Sequence, residues 1–225
     1  ADIVVHSTTK FLSGQGNALG GVVIDSGKFA WLGNSKYPSL SEPSPEYNGL
    51  TFAETFGDLA YTMYSHAISL RDLGCSQSPM NAWITLNGIE TLPLRIERHC
   101  SNALAVAQFL EKHPNVEWVS HAGLRSSPYY ELGKKYLPAG TGSVFTFGVK
   151  GGYESGIKML EMVELFSHVA NLGDTHSLIL HPASTTHRQL SEEQLVEAGA
   201  GAEVIRLSVG IECLEDLIAD LDQAL

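Results

Sequence analysis

No stretch of this chain approaches the roughly 18 uninterrupted apolar residues of a membrane-spanning helix, so no membrane partner is expected. Basic residues are scarce: 14 Lys and Arg face 25 Asp and Glu, a net charge of −11. Neutralising phosphates needs clustered cations, and none cluster here, which excludes a nucleic-acid-binding role. Cysteine is scarce too. Cys75, Cys100 and Cys213 are an odd number without C-x-x-C spacing. That argues against a disulfide scaffold or zinc ribbon and fits a reducing cytoplasm. The chain has neither an initiator methionine nor a basic-then-apolar leader. It opens inside a strand-like run, Asp2-Ile3-Val4-Val5-His6, so the 225 residues are expected to belong to a longer protein. Internal repeats and low-complexity tracts are missing. What remains, 44% hydrophobic and 17% charged residues, is an ordinary globular composition able to bury a core in one or two domains.

Alternating strand-like and helical runs predict an α/β or α+β chain. Ile3–Val5 and Gly21–Ile24 are β-branched runs around the Gly-rich stretch Ser13-Gly14-Gln15-Gly16-Asn17. Pro38, Pro43 and Pro45 predict an extended surface loop from Tyr37 to Gly57. Helical spacing follows over Leu59–Leu73, from near Met80 after Pro79, and over Thr91–Lys112, with Pro93 in the first turn. Beyond it, strands are expected at Val116–Val119, Val144–Val149, Leu178–Leu180 and Val204–Val209. Helices are expected at Tyr153–Phe166, Glu192–Ala198 and Leu214–Leu225. Ser191-Glu192-Glu193-Gln194 reads as a capping box. A second domain should begin near the long helix, giving domains 1–92 and 93–225.

Two glycine patterns fail on spacing. Gly14-Gln15-Gly16-Asn17-Ala18-Leu19-Gly20 has its third glycine one residue late for a dinucleotide fingerprint. Gly21 to Lys28 has five residues where a phosphate loop needs four, and Phe29 replaces Ser/Thr. The nine histidines include no H-x-x-x-H, and His181 and His187 are six apart, so no metal site is expected. G-x-S-x-G is absent. Three clusters are more informative. Ser7-Thr8-Thr9-Lys10 places hydroxyls and an amine at a strand end. Hydroxyls bind phosphate without adding charge, and a partly desolvated amine becomes a nucleophile. By spacing alone, S-x-T-K occurs by chance, and a solvated lysine is the simpler account. Arg206, in the apolar run Val204–Val209, calls for an internal acid, a ligand carboxylate or an exposed strand face. Asn171-Leu172-Gly173-Asp174 and His181–His187 are loops rich in small polar groups, which suits binding.

In this order the clusters resemble the Cys/Met-metabolism family of pyridoxal-phosphate enzymes, which includes cystathionine synthases and lyases, methionine γ-lyase and O-acylhomoserine sulfhydrylases. The resemblance covers essentially the whole chain. It runs through Ser7-Thr8-Thr9-Lys10-Phe11, Gly20-Gly21-Val22, Asn87–Leu92 with Arg95 and Arg98-His99, then Asn171-Leu172-Gly173, His181–His187 and Arg206–Glu212. Tyr37–Leu50, Met80–Trp83, Lys135–Pro138 and Phe147–Gly152 are most similar to the O-acetylhomoserine sulfhydrylase branch. Asn48 departs from an expected histidine, and His121 opens a segment usually written Tyr-Pro-Gly-Leu.

The resemblance implies the end of the large cofactor-binding domain of a fold-type I pyridoxal-phosphate transferase, followed by an α/β C-terminal domain with a small antiparallel sheet. It also implies pyridoxal 5'-phosphate held covalently on the catalytic Lys10, with Ser7 and Thr9 on its phosphate. Arg206 would clamp the substrate carboxylate, with Asn171 and Thr185 lining the same pocket. The activity implied is γ-replacement on O-acetyl-L-homoserine by sulfide. A γ-lyase, a cystathionine γ-synthase or a non-catalytic assembly subunit are the alternatives. Implied partners are the N-terminal half of the same enzyme and further copies in a homotetramer. The family's stacking aromatic, its aspartate for the pyridine nitrogen, its phosphate-binding helix terminus and a Tyr/Arg pair from a neighbouring subunit all precede the lysine strand. None has a counterpart in these 225 residues.

Overall fold

A computed structural model describes residues 1–225. The chain forms two compact units, Ala1–Thr8 with Leu19–Trp83, and Thr9–Ala18 with Ile84–Leu225.

In the first unit β1 (Ile3–Ser7) pairs antiparallel with β2 (Gly21–Asp25), Ile3 opposite Asp25 and Ser7 opposite Gly21. Branched side chains suit that pleated pair. The expected loop from Tyr37 to Gly57 needs correction. It contains α1 (Pro38–Ser41), a 3-10 turn (Pro45–Tyr47) and α2 (Phe52–Phe56). Pro38 and Pro45 occupy first-turn positions, where a fixed φ and a missing N–H cost nothing, so they start short helices. Most of the segment is exposed as expected, but a few of its side chains turn inward. Leu40, Phe52 and Ala53 join Trp31 and Ala60 in a core rich in rings. Asn48 ends the 3-10 turn at φ 54. Asparagine and histidine are both enriched in that left-handed region, which accounts for one standing in for the other. A 3-10 turn (Gly57–Leu59), α3 (Ala60–Tyr64) and a wide-turned helical segment (Ser65–Asp72) follow.

Helix α4 (Pro79–Glu90) starts at its proline as expected, and α5 (Leu92–Leu110) carries Pro93 in its first turn. The second unit continues with β3 (Val116–Ser120), α6 (Tyr130–Tyr136), β4 (Val144–Val149) and α7 (Gly152–Met162). After these come β5 (Ser167–His168), β6 (Leu178–Leu180), α8 (Glu192–Glu197), β7 (Val204–Ser208) and α9 (Leu214–Ala224). The sheet has the order β3-β4-β7-β6-β5 and is antiparallel except for the edge pair β5–β6. Phe145 lies opposite Leu207 and Phe147 opposite Ile205. These four share a core with Val106 and Leu110 of α5, Met159 of α7 and Leu217 of α9. Alternation along β7 then sends Arg206 and Ser208 to the other face of the sheet.

The predicted helix Tyr153–Phe166 ends early, at Met162, with Val163 extended (φ −66, ψ 138). Asp220 of α9 accepts the next three backbone N–H groups, of Glu164 (2.7 Å), Leu165 (2.9 Å) and Phe166 (3.0 Å). Helix α6 has no counterpart in the sequence reading. The capping box on α8 forms as expected, with Ser191 Oγ accepting from the Gln194 N–H and Gln194 Oε1 from the Ser191 N–H. No helix is long and apolar enough to cross a membrane.

Candidate functional site

Lys10 lies in the tight segment Thr8–Leu12 that follows β1, and its own backbone is non-helical (φ −87, ψ −130). The segment then closes into a glycine turn. The Gly14 N–H donates to the Lys10 carbonyl (2.9 Å), and Ser13 Oγ donates to the Thr9 carbonyl (3.0 Å). Gly14 (φ +84) and Gly16 (φ +62) adopt backbone that side-chain-bearing residues avoid.

The half-buried Lys10 amine donates to Asn171 Oδ1. Asn171 also uses its backbone carbonyl, which accepts from an Arg206 guanidinium nitrogen at 3.0 Å. Two residues along β7, Ser208 Oγ accepts from the Gly173 N–H at 3.0 Å. The strand's two-residue period thus gives the loop Asn171–Gly173 two anchors on one face of the sheet. That loop in turn carries the partner of the lysine. Asn171 brings Lys10 and Arg206 together, although 196 positions of sequence (206 − 10) separate the two.

Arg206 is half-buried and forms no ion pair, and burial pushes its guanidinium pKa down. The structure therefore removes one reading of this arginine, an internal acid, and places it on the sheet face away from the helical core. Ser7 ends β1 in the other unit and is exposed. Thr9 is half-buried beside Lys10 in sequence. Thr185 spends its hydroxyl on the His181 carbonyl (2.7 Å).

Among the histidines, His181 is fully buried with both ring nitrogens engaged, Nδ1 with Ser184 Oγ and Nε2 with the Ala202 carbonyl, each at 2.9 Å. It is a core histidine. His99 bonds the Val209 carbonyl through Nδ1 (2.7 Å) and packs edge-on against Phe11, the neighbour of Lys10. His121 accepts the Gly123 N–H at Nδ1 (3.0 Å), a local cap that holds the turn it opens.

Sequence reasoning gave no role to Arg95, Ser208 or Gly173, which shape this site. Arg95 is 8% exposed, and its guanidinium donates to the carbonyls of Phe11 (2.9 Å) and Gly88 (2.7 Å). The available signals were its place in the family-like run that follows Asn87–Leu92 and its position four residues after Thr91 on a mostly apolar helix.

Comparison with known proteins places the chain among relatives of similar sequence and fold. The chain is 49% identical over 226 residues to a homocysteine synthase of Schizosaccharomyces pombe, covering all of the chain and 53% of that protein. It is 49% identical over 234 residues to an O-acetyl-L-homoserine sulfhydrylase of Leptospira meyeri, with the same coverage. A solved structure from Campylobacter jejuni, described as an O-acetylhomoserine (thiol)-lyase carrying a pyridoxyl-lysine phosphate, superposes with a TM-score of 0.93 at 43% identity. That match covers the whole chain and 53% of its counterpart, so the chain spans about half the length of the relatives it matches. The family model for Cys/Met metabolism PLP-dependent enzymes matches residues 1–225, and the chain belongs to that family.

Proposed function

We propose that this chain is the lysine-bearing part of an enzyme that replaces the γ-acetoxy group of O-acetyl-L-homoserine with sulfide, giving L-homocysteine and acetate. The observation that carries the reading is the Lys10–Asn171–Arg206 arrangement, in a chain whose relatives are named for this chemistry. The residues suit pyridoxal phosphate. The Lys10 amine is held by a neutral amide and not by a carboxylate, and the Arg206 guanidinium has no acid partner. Lys10 would carry the cofactor, and Ser7 and Thr9 would supply hydroxyls to its phosphate. When bound, that group supplies an electron sink that stabilises negative charge at the substrate Cα.

The chain's own residues do the rest. Asn171 Oδ1 holds the lysine amine at a fixed place, from which it takes and returns protons at the substrate carbons. Arg206 spends one N–H on the Asn171 carbonyl and keeps others for a carboxylate, which its planar fork binds in a single orientation. Thr185 would line the same pocket. Overall the Cγ–O bond breaks with its electron pair leaving on acetate, and sulfide forms the Cγ–S bond, without oxidant or reductant. The domains would divide at about residue 92. The enzyme would be completed by the counterpart of the remaining half of its relatives, in a cytoplasmic homotetramer.

The test is made on the chain assembled with that counterpart and loaded with pyridoxal phosphate. Lys10→Ala should lower turnover by roughly 10²–10⁴-fold and end borohydride fixation of the cofactor to this position. Retained activity would refute the assignment. Incubating O-acetylhomoserine with sulfide should yield homocysteine. Formation of an oxo acid and ammonia instead, or of cystathionine only when cysteine is added, would transfer the enzyme to the lyase or cystathionine γ-synthase class.

A further inference from the structure

We infer that Arg95 is a positioning residue, whose guanidinium fixes the backbone immediately past Lys10 and so sets where the lysine amine is presented. The inference rests on the proposed role of Lys10.

A glycine turn has no strand or helix ladder to satisfy its carbonyls, so their donors must come from elsewhere. Arg95 provides them. Its Nε donates to Thr91 Oγ1 (3.2 Å), one terminal nitrogen to the Phe11 carbonyl (2.9 Å), and the other to the carbonyls of Gly88 (2.7 Å) and Leu12 (3.4 Å). No carboxylate pairs with it. A buried cation that spends its donors on main-chain oxygens acts as a bracket, and the planar fork makes the bracket stiff. It joins the end of α4, the start of α5 and the two residues after Lys10. Gly88 lies in the last turn of α4, and its carbonyl also accepts from the Thr91 N–H and Oγ1 at 3.3 Å each, so Arg95 is its shortest donor.

Shape reinforces the bonds. A Cβ at Gly14 would stand 2.5 Å from an Arg95 terminal nitrogen, so the bare backbone lies directly on the guanidinium. A Cβ at Gly88 would stand 2.5 Å from the carbonyl oxygens of Leu12 and Ser13. On another side a Cβ at Gly173 would come within 2.7 Å of the Phe11 nitrogen. The backbone of the turn is thus held by Arg95, while its amine is held by Asn171. A polar cavity of about 300 Å³, lined in part by Ser13, Asn87, Thr91 and Arg95, borders the bracket and gives small solutes access to it.

The experiment compares the complete, cofactor-loaded enzyme with its Arg95→Ala variant. Displacement of a reacting group by a fraction of an ångström to an ångström costs up to about 10²-fold, so kcat should fall on that order. KM for the amino-acid substrate should stay within about twofold, since substrate contacts are untouched. Amide hydrogen exchange at residues 11–14 should accelerate at least tenfold while the middle of α5 is unchanged. Free guanidinium should restore part of the lost turnover through the cavity. Arg95→Lys offers one point charge in place of a fork and should show the same loss of kcat and the same faster exchange. Should Arg95→Ala fail to fold, Arg95→Lys and Gly14→Ala, whose new methyl displaces the guanidinium, carry the same readouts. Unchanged kcat, or a loss of kcat without faster exchange at residues 11–14, would overturn the inference. Lys10→Ala separates the two ideas. If that variant remains active, the functional reading fails; if it is dead while the Arg95 variants match the parent, only the bracket fails.

Discussion

Asn171 is the residue on which the site turns, because its side chain takes the lysine amine while its backbone takes the arginine. An amide is a neutral acceptor, so it orients the amine without locking it into an ion pair. Asn171→Asp replaces that oxygen with an anion and favours the charged amine. The rate profile should therefore move to higher pH, by roughly one unit, as opposite charges at contact distance do. Steady-state rates measured across pH check this, and an unmoved profile would mean the amine does not rest on Asn171 in the working enzyme. How legible such residues are depends on their reach. Lys10 was conspicuous because its hydroxyl neighbours are adjacent in sequence. Arg206 was conspicuous because a cation interrupts an apolar strand. The role of Arg95 was not legible even though it stands in a family-like motif, since its partners Phe11 and Leu12 are 84 and 83 positions away.

Elements were readable where their causes are local. The box at Ser191 and Gln194 satisfies helix-end groups within four residues, so the pattern alone announced α8. Ser191→Ala should cost about 1 kcal/mol, read as a lower urea midpoint of unfolding, and should loosen α8 without altering the sheet. An unchanged midpoint would show that the cap contributes nothing. Where the cause is distant, the reading erred. Helix α7 stops at Met162 because Asp220, more than fifty positions away, takes the N–H groups that would have continued it. The segment after Tyr37 lies mostly on the surface as its prolines indicate, but they start short helices, and the rings that bury Leu40 and Phe52 come from several separate stretches.

At the scale of the whole molecule, acid is the informative perturbation. Burial pushes His99 below the ordinary imidazole range, more than the Val209 carbonyl pulls it up, and the Arg95 charge adds to the depression. Burial likewise lowers His121, partly offset by the Gly142 carbonyl. Folding therefore favours the neutral form of both rings. The unfolded chain takes up these protons first, near pH 6.5, so stability is full above that value and falls as pH drops through it. Asp220 is a second case. Burial alone would raise its carboxyl, but the three backbone N–H donors together with Gln223 outweigh it and hold the pKa down. Its contribution is present above the ordinary carboxylate range and is lost as pH falls below about 4. Unfolding midpoints should thus decline in two stages, the upper one made shallower by His121→Gln. A decline confined to pH below 4 would show that the buried histidines do not control the upper stage.

The sequence by itself determined what depends on neighbours and on alternation: the β-branched strands, the proline-started helices, the capping box, and the order of motifs that identified the family. These follow from local sterics and hydrogen bonding, which a few residues specify. Only the tertiary structure decided what depends on groups far apart in the chain. The register of β4 and β7 turns Ile205 and Leu207 into the core and Arg206 away from it. Folding also brings Asn171 to Lys10 and lays the Arg95 guanidinium on the Gly14 turn, because buried polar groups must find partners wherever the packed chain supplies them.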